Sequence, residues 1–347
     1  MAAAEGMADR VLTLRELNRA TLARQLLLER RKLGLAAALE RVAGLQAQWA
    51  PAPYVGLWAR VPGFRREQLE RALLSGRVVR AVLMRGTIHL VSRQDYHRFG
   101  AAVGPPPWLR PDAAEVAETL HDAIRAFGSE PRTRAEVSEF LAREHAIERP
   151  LADAVWYGLR TRARLTHAPE SGLWKAPGLT RYVALEDEPV DAEAARVELV
   201  RRYLGAFGPA TRADIAEWSG LRVRDLERPL EALEPLVRFR DDRGRELLDL
   251  SRAPRPAADT VAPVRFMPRF DNLVLSHKDR TRVLAEEHRA GVIEGGWVKS
   301  TFLVDGFVAG VWEVEAGRVQ PEPFVPLTRT QKAEVADEAR RLEAWLS

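Results

Sequence analysis

Two short stretches, Thr133-Arg134-Ala135-Glu136-Val137 and Thr211-Arg212-Ala213-Asp214-Ile215, decide how the chain is expected to fold, because they open the same pattern twice. Each begins with a threonine that can cap a helix and carries an acid in the first helical turn. Each is followed by the signals for a helix, a turn, a second helix and a β ribbon. This order is typical of winged-helix units, so the sequence predicts two of them in tandem.

Apolar spacing and turn residues give the predicted elements of both repeats. In the first, helices end at Arg143 and span 148–162, and a ribbon of 165–167 and 173–175 surrounds Glu170-Ser171-Gly172. In the second, helices end at Trp218 and span 222–233, and a ribbon of 237–240 and 246–250 surrounds Asp242-Arg243-Gly244.

The two ends of the chain complete the predicted architecture. Helices over 14–30, 34–48 and 66–75 and a ribbon from Val78 to Val91 make the first part a third, less regular winged helix. After Pro256, short apolar runs alternate with turn pairs such as Asp305-Gly306, which predicts an antiparallel sheet or small barrel, closed by a helix over 329–346. The expected fold class is α+β, with three tandem winged-helix units and a C-terminal β-rich, barrel-like part.

Proline-rich or acidic joints at 104–107, 186–189 and 253–256 set the expected domain boundaries, because proline blocks the continuation of a helix. They predict winged-helix units over 1–105, 106–190 and 191–252, followed by the β-rich part with its final helix over 253–347. The first unit carries the candidate site described below.

Composition narrows the function classes. The 347 residues carry a net charge of +4, and all but five of the 53 basic residues are arginine, which suits phosphate and base edges. A GC-rich genome would also explain this arginine content. With no cysteine, the chain has no disulfide, thiolate zinc site or cysteine nucleophile. No apolar run reaches the length of a membrane span, so we expect a cytoplasmic protein without a membrane partner.

The most informative polar cluster is Gln46-Ala47-Gln48-Trp49. On a regular helix, side chains two residues apart point about 200° apart, so one pocket can hold both amides only if the helix ends there. Pro51 supplies that ending, because residues before proline avoid the helical region. The alternative is a helix-end pair that binds loose carbonyls.

The other candidates are more ordinary. Arg85-Gly86-Thr87-Ile88-His89 resembles a basic strand entering a hairpin, and its histidine is either a phosphate contact or a packed or solvated group. Trp49 is the one tryptophan that we would assign to base stacking rather than to a core. Phe270-Asp271-Asn272 and the polar run 276–280 fit loop and capping chemistry. The seven histidines are scattered and no Gly-rich phosphate loop is present, so we expect neither metal nor cofactor.

Five motifs in a single order carry a family resemblance: Leu45-Gln46-Ala47-Gln48, Met84-Arg85-Gly86-Thr87-Ile88-His89-Leu90, Gly208-Pro209-Ala210-Thr211, Pro268-Arg269-Phe270-Asp271-Asn272 and Leu303-Val304-Asp305-Gly306-Phe307-Val308-Ala309-Gly310. With them the chain resembles the AlkZ/YcaQ-like winged-helix DNA glycosylases over nearly its whole length.

The resemblance implies monofunctional hydrolysis of the N-glycosidic bond of cationic alkylated purines, such as N7-alkylguanine or bulky and interstrand-crosslinked adducts, for DNA repair or self-resistance. The family's Gln-hydrophobic-Gln motif maps onto Gln46 and Gln48. Another branch has Asp at the second position, so Gln48 indicates the branch associated with resistance to DNA-alkylating natural products.

The expected partner is double-stranded DNA, bound by a monomer associated with the nucleoid. The residues that we expect to contact DNA are Trp49, Arg85, His89, Arg238 and Arg240. Two alternatives stay open at this point: a non-enzymatic regulator, because winged helices often serve there, and a catalytically silent protein that binds damaged DNA.

Overall fold

The computed structural model describes residues 10–106, 108–161, 165–175, 178–186 and 188–347. Residues 1–9 of the first expected unit, Arg162 of a predicted helix, and Pro107 and Asp187 of two joints lie outside these ranges. The described residues form fourteen α-helices and fifteen β-strands, so the chain has the mixed α+β character that the sequence predicts.

Threonine caps begin several helices. Thr13, Thr133, Thr211 and Thr328 each accept a hydrogen bond from the third helical residue, whose side chain binds back to the cap. The helices are α1 Leu14–Arg24, α2 Leu35–Arg41, α3 Ala52–Arg60, α4 Arg66–Leu74, α5 Arg93–Ala102, α6 Pro111–Thr119, α7 His121–Phe127, α8 Arg134–His145, α9 Leu151–Thr161, α10 Ala192–Phe207, α11 Arg212–Ser219, α12 Glu227–Glu231, α13 Arg289–Val292 and α14 Arg329–Leu346.

The strands form five small sheets with the orders β2-β4-β3, β5-β7-β6, β1-β8-β9, β11-β12 and β10-β13-β14-β15. Their bounds are β1 Val11–Leu12, β2 Leu45–Gln46, β3 Val78–Val82, β4 Ile88–Ser92, β5 Arg132–Thr133, β6 Leu165–His167, β7 Arg181–Ala184, β8 Leu236–Asp241, β9 Glu246–Leu250, β10 Arg265–Met267, β11 Ile293–Glu294, β12 Trp297–Val298, β13 Thr301–Val304, β14 Phe307–Glu315 and β15 Arg318–Pro323.

The first part departs most from its predicted helices. The helix predicted over 34–48 ends at Arg41, because Ala43 and Gly44 adopt left-handed backbone conformations with φ of 58° and 79°. The chain then enters strand β2, so Gln46 lies on a strand and not on a helix. Helix α3 was not predicted, since Pro51 was interpreted only as a terminator, whereas proline is also tolerated where a helix begins.

The ribbon of the second part uses a different partner strand. Strand β6 forms as predicted, but it pairs with β7 and not with residues 173–175. The segment Pro169–Gly172 forms a short 3₁₀ helix. Tyr182 on β7 packs edge-on against Trp156 at 4.7 Å between ring centroids, and burial of this ring favours the later strand. The ribbon of the third part is confirmed, with β8 and β9 joined across Asp242-Arg243-Gly244.

The C-terminal sheet is open, so the predicted barrel is not formed in the residues that the structure describes. Strands β10 and β15 are its two edges. Helix α14 packs against this sheet, and cover from a helix removes the need for the sheet to close on itself. The predicted Asp305-Gly306 hairpin turn is confirmed, and φ of 49° and 83° at its two residues suits a type I′ turn.

The same turn docks on helix α1. Asn18 Nδ2 donates to the Gly306 carbonyl at 2.8 Å, and Arg15 and Arg19 both pair with the Asp305 carboxylate. A Cβ on Gly306 would lie 2.6 Å from Asn18 Oδ1, so the position requires glycine for space as well as for its φ. The turn therefore fixes the C-terminal sheet against the N-terminal helix α1.

One hydrophobic core is shared by the first and last parts of the sequence. It contains Leu22, Tyr54 and Leu90 together with Phe266 and Phe302. Two further cores lie under α5 with α10, and under α6 with α9. None of the described helices is both long enough and apolar enough to span a bilayer.

Two fully desolvated ion pairs cross between these segments. Arg24 binds Asp249 through two hydrogen bonds of 2.7 and 2.8 Å, and Arg60 binds Asp271 through two of 2.8 and 2.9 Å. All four side chains are buried. Because a buried charge without its partner is costly, these pairs fix the position of α1 against β9 and of α3 against the segment after β10.

We expect Asp249→Ala to lower the free energy of unfolding by about 3–5 kcal/mol, because it leaves the Arg24 guanidinium buried without a counter-charge. Urea titration at neutral pH measures the change. The matched control is Glu193→Ala, which removes the exposed partner of Arg228 and should leave the midpoint nearly unchanged. Equal effects of the two substitutions would show that the buried pair is not a stabilising constraint.

Candidate active site

The pairing of β2 with β4 determines how the two glutamines are presented. Gln46 lies opposite His89, and the ladder continues one residue further, where the Ala47 amide donates to the Ile88 carbonyl at 2.7 Å. Gln48 lies in a bend just beyond this ladder. Both glutamine side chains contact the segment that leads into β4, because Gln46 Oε1 accepts from Arg85 Nη2 and Gln48 Oε1 accepts from the Ile88 amide.

The two amides differ in environment. Gln46 is 7% exposed, and its Oε1 accepts a hydrogen bond from Arg85 Nη2 at 3.3 Å. Gln48 is exposed, and its Oε1 accepts a long hydrogen bond of 3.4 Å from the Ile88 amide. One amide is thus fixed inside the site and the other lies at its rim, where it needs to break only a weak contact to reorient.

Arg85 is a structural member of the site. Its Nη1 donates to the Trp218 carbonyl at 2.8 Å while Nη2 holds Gln46. Burial lowers the pKa of the Arg85 guanidinium to about 10, a shift that Glu217 partly offsets, so the group stays charged at neutral pH. The contact directs Gln46 Oε1 towards a cation and leaves the amide hydrogens of Nε2 facing away from Arg85.

Arg80 clamps the residue between the two glutamines. Its Nε and Nη2 donate to the Ala47 carbonyl at 3.1 and 3.0 Å, and its Nη1 donates to the Ser171 carbonyl at 3.1 Å. Burial lowers the pKa of Arg80 to about 10. Arg80 is not among the residues predicted from the sequence. A single charged residue within the apolar strand Val78–Val82 nevertheless indicates a buried side chain that needs hydrogen-bond partners.

His89 does not fit the DNA contact predicted for it. The side chain is completely buried, and its Nδ1 donates to the Thr87 carbonyl at 3.0 Å. Burial, reinforced by the charge of Arg85, lowers the pKa of His89 to about 3. The imidazole is therefore neutral at physiological pH and is shielded from phosphate, which corrects the prediction that it lies beside the lesion strand. Its Nε2 has no hydrogen-bond partner among the described residues.

Trp49 lies at the protein surface beside an arginine. It is 44% exposed, and the Arg269 guanidinium lies 5.8 Å from the centre of its ring. Arg269 and Trp297 line a neighbouring cavity of about 550 Å³, and Trp297 packs against Phe270 at 5.7 Å between ring centroids. Trp49 directly follows Gln48, so the glutamine pair adjoins an exposed aromatic ring that has a cation beside it.

Arg238 and Arg240 lie on a separate sheet, on strand β8. Arg238 is held by two carboxylates, those of Glu234 and Glu246, at 3.1 and 3.0 Å. Arg240 is exposed and donates to the Gly244 carbonyl across the ribbon. The structure records no contact between these two arginines and the glutamine site.

Asp271 and Asn272, which follow β10, hold the segments on either side of the glutamine pair in place. Asp271 caps a short helix by accepting from the Leu273 amide at 2.9 Å while it pairs with Arg60. Asn272 Nδ2 donates to the Gly44 carbonyl at 3.2 Å, directly before β2. The capping chemistry predicted for this stretch is confirmed. No group of three metal-binding side chains occurs among the described residues.

Three comparisons relate this chain to known proteins. The family model described as DNA glycosylase AlkZ-like matches residues 39–345. An interstrand DNA cross-link repair glycosylase from Streptomyces sahachiroi is 27% identical, over 86% of this chain and 87% of the relative. The solved structure of the Streptomyces sahachiroi DNA glycosylase AlkZ has a TM-score of 0.81 and 22% identity, over 96% of this chain and 97% of that one.

We expect the buried neutral His89 to make stability depend on pH. Its pKa is lower in the folded chain, at about 3, than the ordinary value of 6.5, so its contribution is present above pH 6.5 and is lost as the pH falls. His89→Asn should therefore lose about 2 kcal/mol less than the wild type between pH 7.5 and pH 5. Urea titrations at both pH values measure this difference, and parallel losses in the two proteins would contradict it.

Proposed function

The chain belongs to the AlkZ-like DNA glycosylase family, and we propose that Gln46 and Gln48 form the site at which it hydrolyses the N-glycosidic bond of cationic alkylated purines in double-stranded DNA. Membership of this family makes the chain a DNA glycosylase. The alternative of a non-enzymatic regulator is therefore not supported. The observation that supports the proposed site is that both neutral amides contact the segment leading into β4, Gln46 through Arg85 Nη2 and Gln48 through the Ile88 amide.

The chemistry suits amides. Alkylation at N7 of guanine gives the base a positive charge, so the base leaves with the electron pair of the broken bond and becomes neutral. The enzyme then needs to stabilise a cation-like sugar and place a water molecule whose oxygen bonds to C1′ and whose proton passes to solvent. Neutral dipoles can do both without a shifted pKa. We propose that no cofactor takes part, because such a base is already a good leaving group.

The two amides are proposed to divide these tasks. Arg85 occupies one lone pair of Gln46 Oε1, so this amide is fixed and suited to hold the water through Nε2 or through its remaining lone pair. Gln48 Oε1 is restrained only by the 3.4 Å contact with the Ile88 amide. It can turn its oxygen towards the developing positive charge on the sugar. Gln48 is thus the electrostatic group, and Gln46 the group that positions water.

The open surroundings of Gln48 favour large adducts. Gln48 and Trp49 are both exposed, so a bulky group attached to the purine meets no enclosing wall at this rim. The relative from Streptomyces sahachiroi is named as an interstrand cross-link repair glycosylase. We therefore propose bulky or crosslinked N7-alkylguanine as the natural substrate class, in DNA repair or in self-resistance to a genotoxic product.

Several basic surfaces can hold the DNA backbone. We interpret α11, α12 and the β8–β9 ribbon as one of three winged-helix units, with boundaries at 105, 190 and 252, and Arg240 as a contact of its wing. A groove of about 760 Å³ beside this ribbon is lined by six cationic side chains, among them Lys278 and Arg280, and by four acidic ones, among them Asp279 and Glu286. The charge of Arg280 contributes to the lowered pKa of Arg85, after the larger effect of burial, and this supports a position of the groove next to the proposed site. We propose that the enzyme acts as a monomer.

We expect Gln46→Ala and Gln48→Ala each to slow release of N7-methylguanine from duplex DNA by roughly 100- to 1000-fold, because each removes a preorganised dipole from the transition state. Single-turnover assays with chromatography of the released base measure the rate. Affinity for undamaged duplex should change little. Gln94→Ala, an exposed glutamine on α5, is the matched control. A wild-type protein that binds DNA and releases neither methylated nor bulky guanine would refute the proposed reaction.

We expect Arg80→Lys to lower the rate of base release roughly 10- to 100-fold, because a single ammonium cannot hold the Ala47 and Ser171 carbonyls together, and a small misplacement of the glutamines is costly. The thermal midpoint should fall, because a buried carbonyl is left unpaired. DNA affinity should stay near wild type, and the loss of rate should persist at temperatures well below the midpoint, where the variant is folded, which separates a positioning role from loss of fold. The control is Arg77→Lys, at an exposed arginine three residues earlier. A lowered midpoint with an unchanged rate would assign Arg80 to stability alone.

A further inference from the structure

Two aromatic side chains are exposed beside the loop that carries Arg85. Trp108 is 55% exposed and Tyr157 is 39% exposed. Their rings pack edge to face, with centroids 5.0 Å apart and planes at 87°. Neither ring belongs to the glutamine site or to one of the hydrophobic cores.

Trp108 packs against Gly86, the residue that follows Arg85. This glycine has φ of +72°, and a Cβ on it would lie 3.1 Å from Trp108 Cζ2 and 2.9 Å from Pro106 Cγ. The indole therefore rests against the backbone of the residue that follows Arg85. Gly86, against which the indole packs, directly follows Arg85. Arg85 Nη2 in turn contacts Gln46 Oε1, so the indole lies close to a side chain of the proposed active site.

Both rings are held in place from behind. Leu109, which follows the indole, is buried in the third core, and its amide donates to the Pro106 carbonyl at 2.9 Å. Tyr157 lies on α9, whose neighbouring residue Trp156 is buried in the same core. Tyr157 is thus carried on a helix, and Trp108 on a turn whose next residue is buried in a core, which restricts the freedom that the two rings lose when a ligand contacts them.

We propose that Trp108 and Tyr157 form an aromatic platform that stacks on a nucleobase of the bound DNA next to the lesion. The substrate of a DNA glycosylase presents such bases, and every base has a π face that an indole can cover. Exposure of a large apolar indole face to water is unfavourable, whereas stacking on a base would remove that face from water. This inference rests on the proposed position of the site at Gln46 and Gln48.

The platform has a defined task in the reaction. When an adduct is excised, the neighbouring bases lose a stacking partner, and an indole beside the gap replaces it. Because stacking tolerates all four bases, the platform is expected to act independently of sequence. It would also hold a distorted duplex in register while Gln46 and Gln48 face the sugar.

The test uses duplex DNA with a tetrahydrofuran abasic analogue flanked by 2-aminopurine, compared with intact duplex. We expect Trp108→Ala to weaken binding of the abasic duplex roughly 5- to 150-fold and to abolish the change in 2-aminopurine fluorescence that wild type causes. Trp108→Phe should recover part of both signals because it keeps a ring. Val261→Ala is the control, since it truncates an exposed apolar side chain elsewhere on the surface.

The outcomes are separable from those of the proposed reaction. The abasic duplex contains no scissile base, so its binding does not depend on which adduct is hydrolysed. If Trp108→Ala and Trp108→Phe keep wild-type affinity and fluorescence response while Gln46→Ala blocks base release, the platform is refuted and the catalytic site stands. Loss of affinity without any fluorescence change in wild type would also overturn stacking and would indicate a protein or backbone contact.

Discussion

The antiparallel pairing of residues 45–47 with strand β4 is the constraint on which the candidate site depends. It sets Gln46 opposite His89 and brings Gln48 Oε1 to the Ile88 amide. Because side chains alternate along a strand, a slip of one residue would turn the Gln46 amide towards the opposite side and bring Ala47 in its place. The Arg80 clamp on the Ala47 carbonyl opposes such a slip from within the sheet. The hydrogen bond from Asn272 to Gly44 opposes it from outside.

Buried arginines recur as the means by which distant segments are joined. Arg24, Arg60 and Arg80 each bind a carboxylate or several carbonyls, and all are buried. The guanidinium has five donors in a planar fork, so one side chain can satisfy carbonyls from separate elements. Part of the arginine content therefore serves the fold, since Arg19, Arg265 and Arg282 are buried as well. A basic composition alone is a weak measure of how much surface faces DNA.

The site is assembled from four regions of the chain, and this explains why its motifs lie far apart. The glutamines come from β2, Arg85 from the loop before β4, and the carbonyls that hold Arg80 and Arg85 from Ser171 and Trp218. The shared core and the Arg60–Asp271 pair bring the C-terminal part under the same sheet. Removal of any one segment would leave a polar group of the site without its partner.

The sequence by itself determined the features that depend on local chemistry. Threonine caps fixed the starts of α8 and α11, glycine-containing turns fixed the β8–β9 and Asp305-Gly306 hairpins, and the apolar spacing fixed α14. The polar pair and the ordered motifs were enough to indicate the family. Only the tertiary structure decided that Gln46 lies on a strand, that Arg181–Ala184 is the partner of β6, and that the C-terminal sheet stays open. It also decided that His89 and Arg80 are buried. These features depend on strand pairing and burial between residues far apart in the chain, and no local pattern records which distant segment will supply the partner.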